Sequence, residues 1–146
     1  MTWRFHAVFA VFATALVAFA IAWGFMLVGS PGTRRLERFD EQRLQDLKAI
    51  VREVHAMVVD ADKPPSLKGP LPKTLEEIVE RARTERIKLN DPETGEPYRY
   101  LVTNETTFEL CTTFTQVRNS DSSVFWNHPA GTHCFTINVL DPPPFY

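Results

Sequence analysis

The chain has 146 residues, 44% of them hydrophobic and 23% charged, with a formal net charge of −2. By length this is room for one domain and an anchor. With no basic excess to neutralise phosphates, the charge balance gives no reason to expect nucleic acid as a partner.

The apolar content is unevenly spread. Residues 1–6 form a short N-terminal tail, and from Ala7 to Val28 no charged residue occurs. As a helix, 22 residues rising about 1.5 Å each would span about 33 Å, enough for a hydrocarbon core of about 30 Å. Trp3 and Trp23 stand near its two ends, where interfacial aromatics belong. The rival is a cleaved signal peptide, with Arg4 as the basic start and Ala20-Ile21-Ala22 as a small-residue cleavage site. The apolar run continues through Trp23–Val28, where a mature terminus should be polar, so the expectation is an uncleaved transmembrane helix over 7–28.

Residues 29–35 are expected to be a linker broken by Pro31-Gly32, and 36–140 a folded domain. Leu36, Phe39, Leu44, Leu47, Ile50, Val51, Val54 and Val58 recur at helical spacing, which predicts a long amphipathic helix over about Thr33–Val59. Ser66–Pro72 is expected to be a loop. Thr74 and Glu77 have capping-box spacing and open a short helix with Leu75, Ile78, Val79 and Ala82 buried, fading near Arg83–Arg86. The stretch Asp91–Pro97 is dense in turn formers. Strands are expected at Tyr98–Thr103, Thr106–Thr115 and Thr132–Leu140, the first two joined as a hairpin. A long polar connection, Gln116–Gly131, precedes the third. Residues 141–146, with three successive prolines, are expected to be a flexible tail.

Side chains alternate along a strand. Phe108, Leu110 and Phe114 therefore share one face and Cys111 the other. Likewise Phe135, Ile137 and Val139 oppose Cys134. If both apolar faces cover the long helix, Cys111 and Cys134 meet on the outer face as a cross-strand disulfide. That points to an oxidising compartment, whereas Arg34, Arg35, Arg38 and Arg43 after the span favour the cytoplasmic side.

Catalytic chemistry finds no footing. Asp40, Asp46, Glu76, Glu77 and Glu80 read as solvated helix faces, and His55 as a helix-boundary residue. Ser120, Ser122 and Ser123 lack a nucleophile-elbow pattern. His128, His133, Cys111 and Cys134 are the residues from which a zinc site could be drawn. Their spacing fits no compact metal motif, so neither a metal nor a cofactor is expected. Phe125, Trp126 and His128 form a candidate binding surface in the long connection. The competing and preferred reading has Trp126 folding back to cap the core.

The order of anchor, long helix, Leu71-Pro72-x-Thr74-Leu75, then Asp91-Pro92…Gly95-x-Pro97-Tyr98-x-Tyr100 and a small sheet resembles the type II secretion pseudopilins. The resemblance spans most of Leu36–Leu110. It implies an α+β domain, a long helix on a three-stranded antiparallel sheet, and a periplasmic location that would decide the topology in favour of the cysteines. Two family features are missing. Gly24-Phe25-Met26-Leu27 lies at the wrong end of the apolar run for processing, with Gly29 where the family has Glu. A calcium loop is not evident, since Gln116–Gly131 offers Asp121, Asn119 and Asn127 but only one carboxylate.

The resulting expectation is a single-pass inner-membrane protein with a periplasmic domain, non-enzymatic, whose partners are the lipid bilayer and an envelope protein. The alternatives are a minor pseudopilin-type subunit and a metal- or redox-responsive sensor using Cys111 and Cys134.

Overall fold

The structure is a computed structural model that describes residues 2–28, 31–60, 65–82, 87–118 and 124–144. The chain divides into two compact units, Met1–Arg35 and Leu36–Tyr146.

The first unit is dominated by helix α1, Thr2–Val28. Its stretch Phe5–Met26 is long and apolar enough to cross a membrane, and none of its most apolar window is buried against protein. Phe5, Phe9, Phe12 and Phe25 all project outward. The one hydroxyl in the stretch, Thr14 Oγ1, donates to the Ala10 carbonyl at 2.8 Å. That bond satisfies the hydroxyl where water is scarce.

Helix α2, Pro31–Val58, begins earlier than expected. Pro31 does not break the chain. It opens the helix, a position where its missing N–H costs nothing. Residues 31–35 are thus helical rather than linker; 29 and 30 lie outside the described residues. Leu44, Leu47, Ile50, Val51, Val54 and Val58 are buried, recurring at the three- and four-residue steps of one helix face.

That face packs against three strands: β3, Arg99–Val102, β4, Thr107–Phe114, and β5, Gly131–Asn138. (Strands β1, Val59–Asp60, and β2, Ser66–Leu67, form a separate pair.) The sheet is antiparallel throughout, in the order β3-β4-β5. Phe108, Leu110 and Phe114 from β4, Phe135 and Ile137 from β5, and Val139 just beyond it fill the core with the α2 residues. The fold is α+β, and the strands fall within one or two residues of the expected spans. Burying an apolar side chain fully is worth about 1.5–3 kcal/mol, so this single interface is the domain's main source of stability.

Three local expectations are corrected. Val59 is not helical: it begins β1, Val59–Asp60, which pairs with β2, Ser66–Leu67, inside the stretch expected to be loop. The Lys68 N–H donates to the Val58 carbonyl at 2.7 Å, binding this hairpin to the end of α2. Two-residue strands are too short to show alternation in sequence. Helix α3, Leu75–Arg81, is capped by Thr74 Oγ1 accepting from the Glu77 N–H at 3.3 Å. The Glu77 carboxylate reaches one residue further back than a capping box requires, to the Lys73 N–H at 2.7 Å. Residues 83–86, where this helix is expected to fade, lie outside the described residues.

The tail is also corrected. Residues 141–144 are docked: Asp141 bridges to Asn138, Pro143 is buried, and the Pro144 carbonyl accepts from Trp126 Nε1 at 2.6 Å. Proline cannot extend a ladder, but its carbonyl remains a full acceptor and here serves as the anchor. Phe145 and Tyr146 lie outside the described residues.

Candidate functional site

Three clusters of polar and reactive side chains stand out in the domain. The first surrounds Arg43, which lies on α2 and is only 2% exposed. Its Nε and Nη2 form a two-pronged contact with the Asp91 carboxylate at 2.6 and 3.0 Å. Nη2 also donates to Glu93 at 2.7 Å. Nη1 donates to Asp40 at 2.7 Å and to Thr115 Oγ1 at 3.3 Å. All five guanidinium N–H groups are thereby used, leaving none for a substrate.

The carboxylates are held from behind. Asp40 accepts the backbone N–H groups of Thr115, at 3.0 Å, and Gln116, at 2.8 Å. Asp91 Oδ1 accepts those of Glu93, at 2.8 Å, and Thr94, at 3.0 Å, folding the 91–94 turn over its own side chain. Burial opposes ionisation of Asp91, but Arg43 and these two N–H groups outweigh it and hold the carboxyl below its ordinary value. One turn further along α2, Tyr98 Oη donates to Asp46 at 3.0 Å. Burial raises the Asp46 carboxyl above its ordinary value despite that bond. The reading of Asp40 and Asp46 as solvated is therefore overturned: both are buried, along with Asp91. Apart from Arg43, the partners of Asp40 and Asp46 (Thr115, Gln116 and Tyr98) lie 52 or more residues away in sequence, beyond the reach of a helical wheel.

The second cluster is aromatic. Trp126 and His128 are buried, and Phe125 is half-buried. Trp126 packs on Phe135 with ring centroids 5.0 Å apart, and Lys48 Nζ lies 5.5 Å from its ring. His128 stacks on Phe114 at 3.4 Å, and its Nδ1 pairs with the Pro129 carbonyl at 3.1 Å. Burial lowers the His128 pKa, favouring the neutral ring, and Nε2 is enclosed without a partner. Trp126 and His128 thus belong to the interior, not to a binding surface; of the three, Phe125 alone keeps partial access. Ser120, Ser122, Ser123, Asn119 and Asp121 lie outside the described residues.

The third cluster lies on the sheet face turned away from the core. Cys111 and Cys134 are directly opposite in the β4–β5 register, bonded sulfur to sulfur, as the parity argument requires. His133, next to Cys134 in sequence, belongs to the opposite face and packs against Phe135 at 4.8 Å. His128 lies on the core side. The structure therefore does not bring the two histidines and two cysteines together.

No family model, no curated protein and no solved structure matches this chain.

Proposed function

We propose that this is a single-pass inner-membrane protein whose periplasmic α+β domain, pseudopilin-like in build, serves as a non-enzymatic interaction or assembly module. The observation that carries this reading is the contrast between the two units. The domain buries its own apolar residues against its own sheet, whereas α1 leaves the side chains of Phe5–Met26 uncovered. An apolar surface of that length is best covered by lipid. The paired cysteines support the periplasmic side, because such pairs persist in oxidising compartments. Support for a module rather than a catalyst comes from Arg43, whose donors are all spent within the fold.

A minor pseudopilin-type subunit is the second reading. Its support is the use made of the Asp91…Tyr100 motif: Asp91 binds Arg43, Tyr98 binds Asp46, and Tyr100 Oη donates to the Pro72 carbonyl at 2.8 Å. The motif fastens the turn to α2 and to the loop ahead of α3.

Labelling with a membrane-impermeant alkylating reagent, in cells whose outer membrane is permeabilised, tests the first reading. Cys111 and Cys134 are expected to be blocked until reduced and then to label from outside the inner membrane. Thiols that are free and react only after lysis would place the domain in the cytoplasm and overturn the assignment. Shortening by a prepilin peptidase would favour the pseudopilin subunit instead.

A further inference from the structure

The outer face of the β3-β4-β5 sheet carries a ligand set distinct from the histidine–cysteine combination in the sequence. Glu109 and Cys111 are two residues apart on β4 and so share a face, while Cys134 stands opposite Cys111 on β5. A carboxylate oxygen of Glu109 and the two sulfurs all lie within 4.8 Å of one another. Arg99 is the register neighbour of Cys111 on β3. A cation at that position favours the thiolate form once the sulfurs are free.

We propose that Glu109, Cys111 and Cys134 form a zinc(II) site that is closed while the cysteines are bonded and opened by a dithiol reductant. The chemistry balances. A thiolate of the reductant attacks one sulfur of the pair, and the S–S bond breaks to give a mixed disulfide. The reductant's second thiol resolves it and departs as a cyclic disulfide, oxidised by two electrons, leaving Cys111 and Cys134 as thiols. Zinc binding then releases their two protons.

Two thiolates and one carboxylate match zinc in softness and number, leaving the fourth tetrahedral position for water or an exogenous ligand. Zinc–sulfur bonds of about 2.3 Å at a tetrahedral angle set the sulfurs about 3.8 Å apart, so the two separate once their bond is broken while the Glu109 carboxylate, within 4.8 Å of both, closes on the ion. Side-chain rotation on fixed strands supplies both movements. This site stands independently of the membrane assignment, because it can be read in detergent whatever the compartment.

The test uses the full-length chain in micelles, oxidised and dithiol-reduced, with cobalt(II) as the spectroscopic probe and zinc(II) as competitor. The reduced protein is expected to bind one cobalt ion with sulfur-to-cobalt charge-transfer absorption that zinc abolishes; the oxidised protein should show none. Glu109→Gln should weaken cobalt binding at least tenfold while leaving the far-ultraviolet circular dichroism unchanged. As a second readout, zinc should raise the thermal midpoint of the reduced wild-type protein and not that of reduced Glu109→Gln. A reduced protein without the absorption band, or a Glu109→Gln variant that binds as tightly as wild type, overturns the proposal.

Discussion

Replacing Arg43 by Met removes the guanidinium that Asp40, Asp91 and Glu93 share while roughly preserving side-chain volume. The consequences differ among its partners. Glu93 is partly exposed and can return to water. Asp40 and Asp91 cannot; they keep their backbone N–H donors but lose the charge that makes burial tolerable. Breaking a buried pair by deleting one partner costs about 3–5 kcal/mol, a large fraction of the 5–15 kcal/mol that a domain of this size has to lose. Urea unfolding of the full chain in micelles measures the loss, followed by Trp126 fluorescence in a background carrying Trp3→Phe and Trp23→Phe. The pH dependence supplies a second signature. Because Asp91 has a folded pKa below its unfolded value, its contribution is present above the unfolded pKa and disappears as pH falls through the folded one. The gap between wild type and Arg43→Met should therefore narrow below about pH 4, where the unfolded carboxylates protonate. Adding Asp91→Asn to Arg43→Met should cost less than the sum of the single changes. A loss under about 1 kcal/mol, or a gap indifferent to acid, would refute the assignment of Arg43 as the domain's central tie.

Trp126→Ala should cost about 3–5 kcal/mol in urea unfolding and expose residues 141–144 to limited proteolysis, since their carbonyl anchor goes with the indole. Tyr98→Phe leaves the buried Asp46 carboxylate without its hydroxyl donor and should destabilise by about 1–3 kcal/mol, with the Asp46 carboxyl moving further up in an NMR titration. His128 has a folded pKa below its unfolded value, so its contribution should be lost as pH falls through the unfolded value towards the folded one. Urea titrations between pH 7 and 5 should slope less steeply for His128→Phe than for wild type. Reducing the Cys111–Cys134 pair, which encloses a separation of 23 residues, should lower stability in metal-free buffer by about 3 kcal/mol.

Periodicity carried the sequence reading furthest. Leu44 to Val58 repeat on one helical face, and the opposed parities of Phe108/Cys111 and Phe135/Cys134 predict the cysteine register without knowledge of the fold. What periodicity cannot register is a polar residue turned inward by a distant partner. Asp40 and Arg43 have the local pattern of a solvated i,i+3 pair, and nothing within a turn of them announces Asp91 or Thr115. The burial of Trp126 agrees with the preferred reading of the sequence, but that of His128 was hidden for a similar reason: it occupies a stretch without alternation, and its place is decided by where β4 puts Phe114. The docked tail is fastened at Asp141 and Pro144 through main-chain groups, which every residue has and no composition count distinguishes.

The arrangement around Arg43 also sets how the domain breathes. The amides of Glu93 and Thr94, in a turn, and of Thr115 and Gln116, just past the end of a strand, donate to Asp91 and Asp40. Neither pair can open without disturbing a carboxylate bound to the same guanidinium. In hydrogen exchange these four amides should therefore share one opening free energy, although the two segments are about twenty residues apart and no backbone ladder joins them. A turn that would otherwise exchange as freely as any surface loop is drawn into the cooperative unit of the core.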